Sequence, residues 1–130
     1  MNSEQRKKVI NHFRDLEVYQ RAFAAAMEIF KITGDFPKEE KYSLVDQIRR
    51  SSRSVCSNLG ECWRKRRYIA VFKSKVTDAM QEASETQTWL EFSYACKYLV
   101  KSHFDQLDNE YEQIILMLNS IEKNASKFCY

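Results

Sequence analysis

The sequence has little glycine and little proline. Two Gly and one Pro among 130 residues are too few for the many turns of a β-sheet protein or for a flexible linker. Hydrophobic residues form 44% of the chain and charged residues 30%, which excludes an intrinsically disordered chain and favours long helices. At this length we expect one domain with a core of its own.

Long apolar runs are also absent. No stretch approaches the roughly 18 apolar residues of a membrane-spanning helix, and no apolar segment of the secretory type follows the first residues. The sequence therefore predicts a cytoplasmic protein without a membrane partner.

Cysteine and histidine do not occur in the patterns of metal sites. No CxxC pair is present, and neither His12 nor His103 has a glutamate three residues before it, as a di-iron bundle would require. Glycine-rich phosphate loops and a nucleophile elbow are missing as well. We expect no metal, no cofactor and no enzymatic activity, and we interpret the four cysteines as free thiols: Cys56, Cys62, Cys96 and Cys129.

Apolar residues recur at helical spacing in four segments. The predicted helices run from an N-cap at Asp15 to Gly34, from Pro37 to about Lys65, from about Tyr68 to about Val100, and onward from a capping box formed by Ser102 and Asp105. Short connections between them predict an all-α, antiparallel up-down-up-down four-helix bundle with long helices. The predicted domain covers residues 15–130, after a flexible polar lead-in of residues 1–14.

The first predicted helix has two apolar stripes. One consists of Leu16, Tyr19, Phe23, Met27 and Phe30, and the other of Val18, Ala22, Ala25, Ile29 and Ile32. A helix that is apolar on more than one side is expected to be buried on two sides or to contact another subunit.

Positive charge is concentrated in one part of the chain. Nine cations and one acid lie between Arg49 and Lys75, whereas the whole chain has a net charge of +3. Four consecutive cations lie between Trp63 and Tyr68, and aromatic rings beside cations are typical of nucleic-acid binding. The alternative is a solvated helix end whose arginines pair with acids of a neighbouring helix or subunit. The predicted nucleic-acid-binding residues are Arg49, Arg53, Arg64, Lys65, Arg66, Arg67, Lys73 and Lys75.

A polar stripe follows another face of the second predicted helix and continues onto the third. It is either a ligand-binding surface or a hydrogen-bonded network that fixes helix register, and the second interpretation is favoured because buried polar groups must be paired. Its members are Gln47, Arg50, Asn58, Glu61 and Glu82.

Several short segments of the sequence, in their order along the chain, resemble those of a known protein family. They are Phe36-Pro37, Arg49-Arg50, Asn58-Leu59, Glu61, the run from Trp63 to Tyr68, Glu85-Thr86-Gln87 and Trp89-Leu90-Glu91. Together they resemble the bacterial four-helix-bundle family of rRNA intervening-sequence proteins. Gly60 and Cys62 depart from the usual Asn-Ile-Ala-Glu-Gly pattern, in which Ala and Gly occupy their positions.

The resemblance implies a homopentameric barrel. It also implies kinship to the accessory variability determinant protein of diversity-generating retroelements, which binds nucleic acid and a reverse transcriptase. We therefore expect a non-enzymatic oligomeric bundle that binds RNA or DNA through a basic surface, as an accessory scaffold. The alternatives are an adaptor for an acidic protein partner, such as a reverse transcriptase, and a structural assembly in which the basic stripe pairs with a neighbouring subunit.

Overall fold

A computed structural model describes residues 9–130. Its four α-helices are α1 (Glu17–Thr33), α2 (Leu44–Arg64), α3 (Ile69–Ala95) and α4 (Lys101–Lys123), with 3₁₀ turns at Phe13–Asp15, Lys38–Glu40 and Ala125–Lys127. Each helix contacts the next, and α1 also contacts α4. The predicted all-α four-helix bundle is confirmed.

One core runs between the four helices. Each helix contributes side chains that are almost completely excluded from solvent, at the spacing of one helical face. The largest of them are Ile29 of α1, Ile48 and Leu59 of α2, Phe72 and Leu90 of α3, and Tyr111, Ile114 and Leu118 of α4. This burial supplies most of the free energy that stabilises the bundle.

The two stripes of α1 have different environments. Val18, Ala22 and Ile29 of the second stripe are buried in the core. In the first stripe, by contrast, Phe23, Met27 and Phe30 are 52%, 51% and 45% exposed. Burial of α1 on two sides within one chain is therefore wrong, and the contact with another subunit stays a prediction.

The start of α1 differs from the prediction. Its N-cap is Leu16, which has no capping side chain, whereas Asp15 Oδ2 accepts hydrogen bonds from the backbone N–H groups of Asn11 and His12, both at 3.0 Å. The Asp15 carboxylate thus caps the preceding 3₁₀ turn rather than α1. Part of the predicted lead-in, residues 1–8, lies outside the described residues. Ile10 and Phe13 of this lead-in pack against the core.

The second helix begins later than Pro37. Pro37 precedes a 3₁₀ turn, and α2 starts at Leu44. Glu40 fixes the intervening turn, because its carboxylate accepts hydrogen bonds from Ser43 Oγ at 2.6 Å and from Tyr98 Oη at 2.8 Å. The contact with distant Tyr98 overrides the local preference for a helix.

The other two boundaries were also misplaced. α3 ends at Ala95, because the backbone N–H groups of Lys97 and Tyr98 bond back to the carbonyls of Tyr94 and Ser93, which is a Schellman motif. The Ser102–Asp105 capping box is wrong: α4 begins at Lys101 without a side-chain cap. Asp105 instead accepts a hydrogen bond from Lys101 Nζ at 2.7 Å.

Lys97 is the residue at which this motif is strained. Its φ of 67° is in the left-handed region, which glycine adopts without steric cost and a residue with a Cβ does not. We expect Lys97→Gly to raise the free energy of unfolding by about 1 kcal/mol. Urea unfolding measures the change. Lys97→Ala is the control, since it keeps the Cβ; an equal gain in both variants would contradict the explanation.

No helix between residues 9 and 130 is long and apolar enough to cross a membrane.

Candidate nucleic-acid interface

The cationic run begins at the end of α2 and continues through the turn before α3. α2 ends at Arg64, with Lys65 as its C-cap, and the backbone N–H of Tyr68 bonds to the carbonyl of Lys65 at 2.9 Å. The predicted turn at Arg66 and Arg67 is confirmed. Arg64, Lys65 and Arg67 are exposed on this turn.

Arg66 has a different environment from its neighbours. It is half-buried, and its guanidinium carbon lies 3.7 Å from the centroid of the Trp63 ring and 5.4 Å from that of Tyr130. These cation–π contacts cover one face of Trp63. Of the two aromatic residues that flank the run, Tyr68 is thus the accessible one, at 54% exposure.

Arg49 is bound to the end of α1. Its Nε donates to Thr33 Oγ1 at 2.9 Å and its Nη2 donates to the Phe30 carbonyl at 3.2 Å. The guanidinium also lies 4.6 Å from the centroid of the Phe30 ring. A cation at the C-terminus of a helix satisfies free carbonyls and interacts favourably with the helix dipole. These contacts assign Arg49 a role in joining α1 to α2.

This role predicts an effect of Arg49 on stability. We expect Arg49→Ala to lower the free energy of unfolding by about 1.5 kcal/mol, because charge-assisted hydrogen bonds are lost and the buried Thr33 hydroxyl loses a donor. Arg50→Ala is the matched control, since the side chain of Arg50 is 75% exposed and has only a 3.9 Å ion pair with Asp46. Urea unfolding compares the variants, and equal losses would show that the contacts with α1 add no stability.

The two lysines of α3 lie opposite carboxylates. Lys75 Nζ is 2.9 Å from Glu61 Oε2 across the α2–α3 contact, and Lys73 Nζ is 3.9 Å from Glu122 Oε1. The hydrogen bond from Lys75 to Glu61 raises the pKa of Lys75. The charge of Lys75 is therefore compensated within the chain, which makes Lys75 a weaker candidate for binding phosphate. The longer ion pair of exposed Lys73 compensates its charge less.

Four of the exposed predicted cations form no ion pair within residues 9–130. We call them the basic edge: Arg53, Arg64, Lys65 and Arg67. Arg53 and Arg64 are 11 positions apart on α2, about 16 Å along the helix axis. The basic edge thus offers four positive charges, none of which forms an ion pair with an acid of the described chain.

An apolar groove lies beside the basic edge, between α1 and α2. This α1/α2 groove has a volume of about 950 Å³. Phe13, Tyr19 and Phe23 line it from the side of α1, while Arg53, Arg64 and Lys65 line it from α2. The Phe13 and Tyr19 ring centroids are 5.1 Å apart and those of Tyr19 and Phe23 are 6.1 Å apart. One surface thus combines aromatic rings with uncompensated cations.

The predicted polar stripe is divided by the structure. Gln47, Arg50 and Glu82 line a second groove of about 550 Å³ between α2 and α3. Asn58 instead donates to the Ser54 carbonyl at 2.9 Å within α2, and Glu61 pairs with Lys75. Among the side chains that the structure describes, no hydrogen bond joins these five residues to one another.

Glu82 has an acidic neighbourhood in the α2/α3 groove. Desolvation is the main cause that raises the pKa of its carboxyl, followed by a hydrogen bond and charge repulsion from Glu85 and by the charge of Asp78. The groove mixes these acids with Arg50 and Arg53. Its charge is thus more balanced than that of the α1/α2 groove.

The cysteines are free thiols, as predicted. Burial raises the pKa of Cys56 to about 11, and burial with the nearby charge of Cys129 raises that of Cys62 to about 12. Both remain protonated at neutral pH and are therefore poor nucleophiles. Between residues 9 and 130 the structure contains no cluster of three or more His, Cys, Asp or Glu side chains suited to a metal ion.

The sequence was compared with models of protein families. The model described as the 23S rRNA-intervening sequence protein matches residues 14–120. The chain belongs to this family. Helices α1, α2 and α3 lie within the matched segment, and α4 begins in it.

A solved structure has the same fold. It is a protein with unknown function from the S23 ribosomal protein family of Bacteroides thetaiotaomicron VPI-5482, similar to this chain with a TM-score of 0.73 and 27% sequence identity. The alignment covers 82% of this chain and 95% of that one. No curated protein matches the chain.

Two features of the interface were not predicted from the sequence. The first is the attachment of Arg49 to α1, which depends on how α1 and α2 are aligned. The second is the α1/α2 groove, because the spacing of Tyr19 and Phe23 is equally typical of a core stripe. The signal that pointed to it is the presence of two apolar stripes on α1, since one core needs only one of them.

Proposed function

We propose that the chain is a non-enzymatic homo-oligomer, with five copies as the resemblance implies, that binds RNA or DNA through the basic edge. The observation that supports this proposal most is the set of four exposed cations without a carboxylate partner in the described chain. Cations held close together repel one another, and a polyanion relieves that repulsion while its own counterions are released.

Assembly would multiply these contacts. Four cations in one chain neutralise few phosphates, and repetition in each copy raises the affinity by avidity without any new kind of contact. Phe92 of α3 and Leu116 of α4 are 53% and 56% exposed. They supply apolar surface for contact between copies, outside the α1/α2 groove.

The proposed function is tested by direct binding. Protein freed of nucleic acid and sized by light scattering is titrated into labelled 20-nucleotide RNA and DNA, and fluorescence anisotropy is measured. We expect submicromolar binding by the oligomer. A well-formed oligomer that leaves both probes free at micromolar concentration would overturn the proposal.

The exposed residues of α1 favour a second candidate function. Phe23, Met27 and Phe30 form an apolar strip next to the basic edge, which suits an acidic protein partner in an adaptor role. The reverse transcriptase implied by the resemblance stays a prediction of this kind. Capture of one purified acidic partner, with no nucleic acid in the complex, would favour it.

A third arrangement follows if copies of the chain meet through the basic edge. Arg53 and Arg64 would then pair with acids of a neighbouring copy in a purely structural assembly. An oligomer that dissociates when these arginines are replaced would support that arrangement.

A further inference from the structure

The α1/α2 groove has different chemistry on its two sides. Its α1 side presents Tyr19 and Phe23, whereas its α2 side presents Arg53, Arg64 and Lys65. Glu61 and Lys75 also line the groove, and they neutralise each other through their 2.9 Å ion pair. The uncompensated charge is therefore positive and confined to one wall.

Each arginine of this wall lies against an aromatic ring of the opposite side. The Arg53 guanidinium carbon is 5.8 Å from the centroid of Phe30, and that of Arg64 is 5.7 Å from the centroid of Phe13. Tyr19 and Phe23 lie between these positions along α1. The two cations thus flank a row of aromatic rings rather than projecting away from it.

The floor between the walls is formed by Gly60 and Cys56 of α2. A Cβ on Gly60 would make ordinary contact with the Phe13 ring, at 3.7 Å, so this ring packs closely against the glycine and supplies an aromatic surface there. As a protonated thiol, Cys56 adds a small, weakly polar surface. The floor is therefore largely apolar.

We infer that the α1/α2 groove binds the unpaired nucleotides of a single strand, with bases against Tyr19 and Phe23 and phosphates at Arg53 and Arg64. The inference rests on the proposed function and names the form of nucleic acid that the site takes. A single strand has its bases on one side and its phosphates on the other, as the groove has aromatic rings and cations. The bases of a duplex are stacked and paired, so a duplex can use only the cations.

The length of the groove agrees with a short segment of single-stranded nucleic acid. Arg53 and Arg64 are about 16 Å apart along α2, a length that corresponds to about five stacked nucleotides at about 3.4 Å each. An acidic amphipathic helix fits less well, because its carboxylates would flank its apolar stripe on both sides, while the uncompensated cations of the groove lie on one wall.

The experiment compares unpaired and paired probes of equal length. Anisotropy titrations use 20-nucleotide oligouridine RNA and a 20-base-pair RNA duplex at the same salt concentration, with wild-type protein and Phe23→Ala. We expect Phe23→Ala to weaken oligouridine binding about tenfold, since one stacked base is lost, and to leave duplex binding unchanged. Phe23→Trp, which keeps an aromatic face, is expected to restore oligouridine binding. Phe23 is 52% exposed, so these changes spare the core.

The outcomes separate this inference from the proposed function. If both probes bind and Phe23→Ala affects neither, the groove does not bind bases, although the basic edge still binds nucleic acid. If neither probe binds, the proposed function fails and the inference fails with it. A smaller oligomer for Phe23→Ala in light scattering would assign the groove to contact between copies. Phe23-dependent binding of an acidic amphipathic peptide, without RNA binding, would assign it to a protein.

Discussion

Reversing the charge of Arg64 and Arg67 together is expected to lower the affinity for RNA on the order of 100-fold. Both side chains are exposed at the end of α2 and in the turn that follows, and neither has an ion pair within residues 9–130. Each lost charge-assisted hydrogen bond contributes about 1.5 kcal/mol at the low end of its range, and every 1.4 kcal/mol corresponds to a factor of about ten. Anisotropy titration of Arg64→Glu/Arg67→Glu measures the loss.

The control is a second double variant with the same change of charge, placed just before the start of α2. Lys38 and Lys41 are exposed and precede Leu44, the first residue of α2, which is about 30 Å from Arg64 along the helix. Lys38→Glu/Lys41→Glu should therefore weaken binding only a few-fold, through the net charge. If both double variants lose affinity equally, binding depends on net charge alone and not on the basic edge. Thermal unfolding of each variant checks that the bundle remains folded.

Truncation of Leu59 is expected to have the largest effect on stability. Leu59 is fully buried on α2, one residue before the floor of the groove at Gly60. Leu59→Ala removes transfer free energy and leaves a cavity, for an expected loss of about 2–5 kcal/mol, which is a large part of the 5–15 kcal/mol typical of a domain. Urea unfolding, monitored by circular dichroism at two protein concentrations, measures the loss and any contribution from assembly.

Ser57→Ala is the matched control on the same helix. Ser57 is exposed and its hydroxyl bonds only to the Ser54 carbonyl, at 3.2 Å, so the expected change is within about 0.5 kcal/mol. A loss below about 1 kcal/mol for Leu59→Ala would contradict the placement of this residue in a tightly packed core.

The sequence predicted the fold because each helix repeats its core residues at one spacing over many turns. Leu59 and Ile48 are identified by that repetition, and a single misplaced residue does not change it. Boundaries depend on fewer residues. Nothing in the local sequence indicates that Tyr98 bonds to Glu40 and delays α2, or that Lys97 occupies the left-handed position where glycine is usual.

The candidate site was predicted as a set of residues but not as a geometry. The run from Arg64 to Arg67 is evident from its charge alone. Whether a given cation is available depends on what lies opposite it, and this is fixed by the alignment of helices that are distant in sequence. Arg49 and Lys75 have the same charge as Arg64, yet Arg49 bonds to α1 and Lys75 pairs with Glu61.

The salt dependence of RNA binding tests the central claim most directly. The logarithm of the association constant for oligouridine is plotted against the logarithm of salt concentration between 50 and 200 mM, for the wild type and for Arg64→Gln/Arg67→Gln. Each neutralised phosphate of a single strand adds about 0.7 to the slope. We predict a steep negative slope for the wild type and a slope at least about 1.4 units shallower for the variant. Equal slopes would contradict the assignment of these two arginines to phosphate binding, and absent binding would contradict the proposed function.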